Sequence, residues 1–384
     1  MGAYVTGHTD PAFEAVREVF ESSFADGQNV GCAVAVYVRG RPVVDLWGGI
    51  ADSRTGRAWE RDTPCIAFSC TKAVTATAAL MVAAEHGIAM EDPVARWWTE
   101  YGCAGKESTA TADLLTHRAG VPAFDRAIDA TAAADAAGMA ALLAAQAPEW
   151  APGTQHGYHA LTFGWLVGEL VRRHTDSTVG EFTHRRISPN LHIGADADVC
   201  ARAARSEFPP AEQQIWQDEP EGIDAATVAR MSVAYRDPQS MVLRAVANPF
   251  GSYNNPAVLA GGWPATGLVT TARALAGFYR ALVQGRLLPP SLLRDATRER
   301  ARGTDAVLAL ESAYGLGYML PSQNFIVPES ARATVFGHPG AGGSVGLGDL
   351  ENQVAFAFIP NLRRDWLAGD RRAYRLIEAV YAAL

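Results

Sequence analysis

Long uninterrupted apolar runs are missing from this chain of 384 residues, and no stretch approaches the roughly 18–20 apolar residues a membrane helix needs. Basic charge is also in short supply. Lys and Arg number 33 against 41 Asp and Glu, a formal net charge of −8, and that balance argues against a phosphate-backbone partner. Cysteine is sparse and unpatterned. Cys32, Cys65, Cys70, Cys103 and Cys200 are odd in number and lack paired spacing, so free buried thiols are expected rather than a disulfide or zinc framework. The N-terminal MGAYVTGHTDPAFEAVREVF has no basic stretch leading into an apolar core, so no secretory leader is expected and the expected location is cytoplasmic. Internal repeats are absent, and low complexity is confined to an Ala-rich run near 130–145.

What is present describes a globular protein: 48% of residues are hydrophobic and 19% charged. The length exceeds a usual single core, so two lobes are expected. Apolar spacing predicts a helix over 10–26, and GCAVAVYVRG (31–40) with RPVVDLWGGIAD (41–52) reads as a hairpin. The Ala-rich stretch 71–87 is helical, with Gly87 as its stop. Helical patterns recur at 109–116, 136–146, 160–173, 224–235 and 270–283, while 188–222 and 236–264 read as long loops. Strands return at 313–320, 333–340, 343–350 and 353–361, before a closing helix at 367–383. Strands at both ends around a helical middle imply an α+β chain, one sheet built from both termini.

Three segments carry chemistry. Ser69-Cys70-Thr71-Lys72 is an S-x-x-K. At a helix start, residues i and i+3 share a face, so the Lys72 amine can take the serine proton, and the helix N-terminus favours a developing oxyanion. A capping serine beside a solvated lysine would give the same four letters. Tyr158, after a Pro-Gly turn and ahead of an apolar helix, is a candidate general base, because a nearby ammonium favours phenolate. It could equally be a packed core tyrosine. Phe336-Gly337-His338-Pro339-Gly340-Ala341 is a glycine-bearing strand edge that lets backbone approach a ligand, or a β-turn with an incidental histidine.

Together these residues resemble the serine β-lactamase and penicillin-binding-protein superfamily, and within it the class C-like (family VIII) carboxylesterases and related acyltransferases. DLLTHRAGVP (113–122) and PGT…Y (152–158) extend the resemblance over most of the chain. The resemblance implies a β-lactamase-like α+β fold, with an antiparallel sheet flanked by helices (1–68 and 264–384) and an inserted, mostly helical lobe (69–263). Ser69 would be the acylated nucleophile, Lys72 its proton acceptor, and Tyr158 the group passing protons to the leaving group. The backbone N–H groups of Ser69 and Ala341 would form the oxyanion hole, and His117 would be structural. His338, Gly340, Trp263 and Tyr318 are expected against the substrate, a small acyl ester or acyl donor. No cofactor or metal is implied, and oligomeric state is left open.

Two departures bear on substrate. The family's Tyr-x-Asn reads Tyr158-His159-Ala160, and its Lys-Thr-Gly reads His338-Pro339-Gly340. Both favour esters over penicillins. Acyl transfer, a D-amino-acid amidase or peptidase, weak β-lactamase activity and an inactive binding protein stay open as alternatives. Gly342-Gly343-Ser344-Val345-Gly346 fits the G-x-S-x-G elbow of α/β-hydrolases, but strand-like sequence and no histidine follow it. A metal site on His156 and His159 with His117 or His184 lacks a carboxylate-rich partner set. Trp216, Tyr235, Phe250, Tyr253, Trp263 and Tyr318 lie in or near the long loops, either as pocket walls or as closure of the helical lobe.

Overall fold

The computed structural model describes residues 5–209, 224–364 and 370–384; Trp216 lies outside them. An antiparallel sheet dominates. Its strands run in spatial order Val5–Thr9, Arg41–Asp52, Gly31–Val38, Val354–Pro360, Val345–Asp349, Val335–Pro339, Met319–Leu320, Glu311–Tyr314 and Ala301–Thr304, with Arg57–Ala58 paired onto Arg41–Asp52. The first and last parts of the chain meet in the middle, where Phe356 pairs with Val36 and Phe358 with Val34.

Alternation decides which helices cover which face. Val34, Val36, Phe356 and Phe358 pack with Phe13, Val16 and Phe20 and with Leu376, Ile377 and Val380, so helices Glu14–Ala25 and Arg371–Ala382 cover one face. Ala33, Ala35, Ala355 and Ala357 face the other way, toward Leu275, Tyr279 and Leu282 of helix Ala272–Val283. Small residues on that face let the helix approach closely.

Helix Thr71–His86 is buried at nearly every position from Thr71 to Ala83 and packs on helix Thr162–Thr175. Its all-round apolar pattern suits a helix with no solvent face, and Gly87 ends it at φ +64°. A small sheet of Cys65–Ile66, Leu268–Thr270 and His192–Ile193 leads into this helix.

Several expectations need correcting. The expected loops contain helices Ala197–Arg202, Met241–Val246 and Pro256–Ala260, each started by a side-chain cap from Asp196, Ser240 or Asn255. The expected strand 313–320 is two strands, Glu311–Tyr314 and Met319–Leu320, reversed through Gly315-Leu316-Gly317. Gly317 adopts φ +78°, and a Cβ there would sit 2.2 Å from Ala76 Cβ, so a turn against the buried helix replaces continued strand. Edge strand Val5–Thr9 and helices Val179–Arg186 and Pro290–Ala296 carry patterns too short to read. Among the described residues, no helix is long and apolar enough to cross a membrane.

Candidate active site

Strand Cys65–Ile66 delivers the chain to Ser69 through a strained corner. Phe68 adopts φ +47°, a left-handed conformation that costs a non-glycine residue energy and is held only by its surroundings. Those surroundings are visible: Ala67 N donates to Leu268 O at 2.8 Å, Leu268 N donates to Thr71 Oγ1 at 3.0 Å, and Thr71 Oγ1 donates to Phe68 O. Ser69 therefore stands on a fixed 3₁₀ turn, Phe68–Cys70, at the mouth of helix Thr71–His86.

Lys72 is fully buried one turn on. Its Nζ lies 3.2 Å from Ser69 Oγ, 2.7 Å from Ala160 O and 3.1 Å from Ala265 O. Burial holds its pKa well below the usual lysine value. A neutral amine has two N–H groups and one lone pair. Two carbonyls need two donors, so the lone pair is left facing Ser69 Oγ–H.

The Tyr158 ring lies 4.6 Å from Lys72 Nζ, and its side chain lines the same cavity as Ser69. Here the expectation of a phenolate base is corrected. Burial pushes the Tyr158 pKa up, and with Lys72 driven toward the neutral amine there is no strong cation to oppose it. Burial thus disfavours both charged forms, the ammonium and the phenolate. Cys70, beside Ser69, has its pKa raised to about 12 by burial, so its thiol stays protonated at neutral pH.

Tyr158 is held in place by histidines. Gly157 N donates to His117 O at 3.0 Å, and His159 N donates to His117 Nδ1 at 3.0 Å. His159 Nδ1 lies 2.6 Å from Gly157 O, and its Nε2 accepts from Val121 N at 3.1 Å. These bonds knit 117, 121 and 157–159 into one corner. His156 contacts Ser312 Oγ at 3.0 Å, and His184 lines a separate cavity.

Opposite stands the edge of strand Val335–Pro339. His338 is buried, its ring 6.0 Å from that of Tyr158. Its Nδ1 is 2.6 Å from Pro339 O; a carbonyl can only accept, so Nδ1 carries the proton. Burial lowers the His338 pKa to about 3, which leaves the ring neutral near pH 7. Gly340 is required at its position: a Cβ would sit 2.2 Å from Ser344 Oγ and 2.4 Å from Ala67 O. Ala341 opens the short turn Ala341–Gly343. The N–H groups at the start of such turns have no carbonyl of their own turn to bond, which suits Ser69 and Ala341 to an oxyanion.

Ser344 is a clamp rather than a nucleophile elbow. Its hydroxyl donates to Ala67 O at 2.9 Å, and strand Val345–Asp349 follows it, not a helix.

A cavity of about 730 Å³ opens on these groups, lined by Ser69, Tyr158, His338, Gly340 and Ala341 and walled by Met231, Leu308, Leu310 and Met319. Two expected substrate contacts are not there. Trp263 and Tyr318 are 1% and 0% exposed, and the Tyr318 hydroxyl pairs with Thr77 Oγ1 at 2.8 Å behind the site. Both pack in the core, because an aromatic next to a loop is as readily its floor as its wall. Tyr253 and Tyr235 do line the cavity, and Phe250 is exposed. The aliphatic wall residues carried no motif and went unread, as did Asp305, whose carboxylate accepts from Tyr158 N at 2.9 Å.

Comparison with known proteins gives the family and the fold. The family pattern described as "Beta-lactamase" matches residues 16–380. "Esterase/beta-lactamase LipL" of Mycobacterium tuberculosis (strain ATCC 25618 / H37Rv) is 33% identical over 375 residues, covering 94% of this chain and 83% of that protein. A crystal structure of a family VIII carboxylesterase superposes with TM-score 0.87 at 30% identity, covering 99% of this chain and 100% of the other. A penicillin-binding protein homologue from Caulobacter crescentus gives TM-score 0.85 at 34% identity, with coverage of 99% and 100%.

Proposed function

The chain belongs to the beta-lactamase family, and on that premise we propose a carboxylesterase that forms an acyl-enzyme at Ser69 with small acyl esters. It is a serine hydrolase. The observation that carries the residue assignment is the buried Lys72 amine, with two carbonyls on its N–H groups and Ser69 Oγ at 3.2 Å.

As Ser69 Oγ attacks the ester carbonyl, its proton passes to Lys72 Nζ, and the oxyanion is received by the N–H groups of Ser69 and Ala341. Collapse breaks the ester C–O bond, and Tyr158 gives its hydroxyl proton to the departing alkoxide. The Lys72 proton then restores the phenol. Water attacks the acyl-enzyme, yields its proton to the same pair, and Ser69 leaves as the alcohol. The cleft lies between the proposed helical lobe (69–263), which carries Ser69, and the sheet lobe (1–68 and 264–384), which carries His338–Ala341.

Intact-mass analysis after incubation with a fluorophosphonate and with p-nitrophenyl butyrate tests the assignment. One adduct is expected, mapped to Ser69, absent from Ser69→Ala and still formed by Ser344→Ala. An adduct surviving in Ser69→Ala would overturn it.

A further inference from the structure

Asp305 belongs to none of the sequence motifs, yet it is 1% exposed and sits beside the proton relay. Its Oδ1 accepts three backbone N–H groups at 2.9 Å, from Tyr158, Val307 and Leu308. Its Oδ2 accepts the hydroxyls of Ser312 at 2.8 Å and Tyr314 at 3.3 Å. A protonated carboxyl would present a donor of its own; five donors converging on it mark an ionised carboxylate. Without them a buried charge of this kind would be strongly unfavourable.

The donors come from distinct places. Val307 and Leu308 belong to Asp305's own turn, which Asp305 N closes on Leu310 O at 2.8 Å. Tyr158 N comes from about 150 residues earlier, and Ala306 N adds a second tie to that segment, to His156 O at 3.0 Å. Tyr314 is also stacked on Tyr158, with ring planes 7° apart and centroids 6.5 Å apart. The carboxylate thus grips Tyr158 by its backbone and, through Tyr314, by its ring. Leu308 and Leu310 of the same turn line the catalytic cavity.

We propose that Asp305 is the positioning residue that fixes Tyr158 for proton transfer and sets it in register with the Leu308–Leu310 wall of the substrate cavity. This rests on the reading of Tyr158 as the proton relay. The groups facing Tyr158 are Lys72, Cys70, His117, Tyr235, Asp305, Tyr314 and His338, and His156 reaches Asp305 through Ser312. The Asp305 charge disfavours phenolate at Tyr158.

The test compares Asp305→Ala, Asp305→Asn and Tyr158→Phe in the full chain, with kcat and KM for p-nitrophenyl butyrate measured across pH 5–10. Asp305→Ala should lower kcat on the order of a hundredfold, as misplacement of a catalytic group by about 1 Å can do, with KM little changed. Asp305→Asn keeps an oxygen for the three N–H groups and should recover most of that loss in kcat. Wild-type kcat in Asp305→Ala, or no recovery in Asp305→Asn, would overturn the positioning role. If Asp305→Ala does not fold, Asp305→Glu, which keeps the charge but displaces the oxygens, should lower kcat with KM little changed, and wild-type kcat there would overturn the role. Wild-type kcat in Tyr158→Phe would instead remove the relay reading itself.

Discussion

His338 and Ala160 bear most directly on substrate choice, because each stands where the resembled family has a polar side chain. At neutral pH the His338 ring is uncharged, its pKa lowered to about 3, so it is no fixed partner for a β-lactam carboxylate. Ala160 offers Lys72 its carbonyl but has no side-chain amide for an acylamino group. Each missing contact costs on the order of 1–3 kcal/mol, and the pair about a hundredfold or more in kcat/KM. Esters such as p-nitrophenyl butyrate should therefore be turned over at least about a hundredfold better than a chromogenic cephalosporin. Comparable ring-opening of the cephalosporin would show that other residues supply the cation and the amide. At this scale the sequence was informative where chemistry dictates residue type and spacing, as in Ser69, Lys72 and the Gly340 edge. It was uninformative where only facing matters. Nothing in the letters says that Trp263 turns inward while Tyr253 turns to the cavity, or that an unremarkable Asp305 lies under Tyr158.

The elements were legible where a pattern lasted long enough to show its period. The hairpin Gly31–Val38 and Arg41–Asp52, and the helices Thr71–His86 and Ala272–Val283, fall close to their expected bounds. Short elements such as Val5–Thr9, Ala197–Arg202 and Pro256–Ala260, or those fixed by a partner far along the chain, did not announce themselves; the turn at Gly317 exists because Ala76 stands against it. Close packing of helix Ala272–Val283 on the sheet makes a testable contrast between two glycines. A Cβ on Gly346 would meet Tyr279 Cε2 at 2.4 Å, whereas one on Gly277 meets nothing within 4 Å. Gly346→Ala should destabilise by about 1–3 kcal/mol through overpacking. Gly277→Ala, inside the helix, should stabilise by roughly 0.5–1 kcal/mol. Urea midpoints of the two variants measure this, and a neutral Gly346→Ala would mean that helix and sheet are packed more loosely than this contact implies.

Across the whole molecule, the histidines that organise the site also set its tolerance of acid. Burial lowers the pKa of His338 to about 3 and of His159 to about 4, and holds His117 well below its ordinary value. All three are neutral when folded. In the unfolded chain each takes up a proton near pH 6.5. The unfolded state then binds more protons from about pH 6.5 down to the folded values, so stability is complete above that range and falls as pH drops through it. His338 and His159 each remove about 2 kcal/mol by pH 5 relative to pH 7.5, and His117 adds to the loss in the same direction. Urea midpoints should therefore fall steeply between pH 6.5 and 5, well above the range where carboxylates titrate. His338→Gln cannot take up a proton in either state, so its stability should lose about one proton's worth of that slope, roughly 1.4 kcal/mol per pH unit at the acid end. A variant whose slope matches the wild type would show that His338 is already cationic in the folded protein, and the neutral-ring argument against β-lactam carboxylates would fall with it.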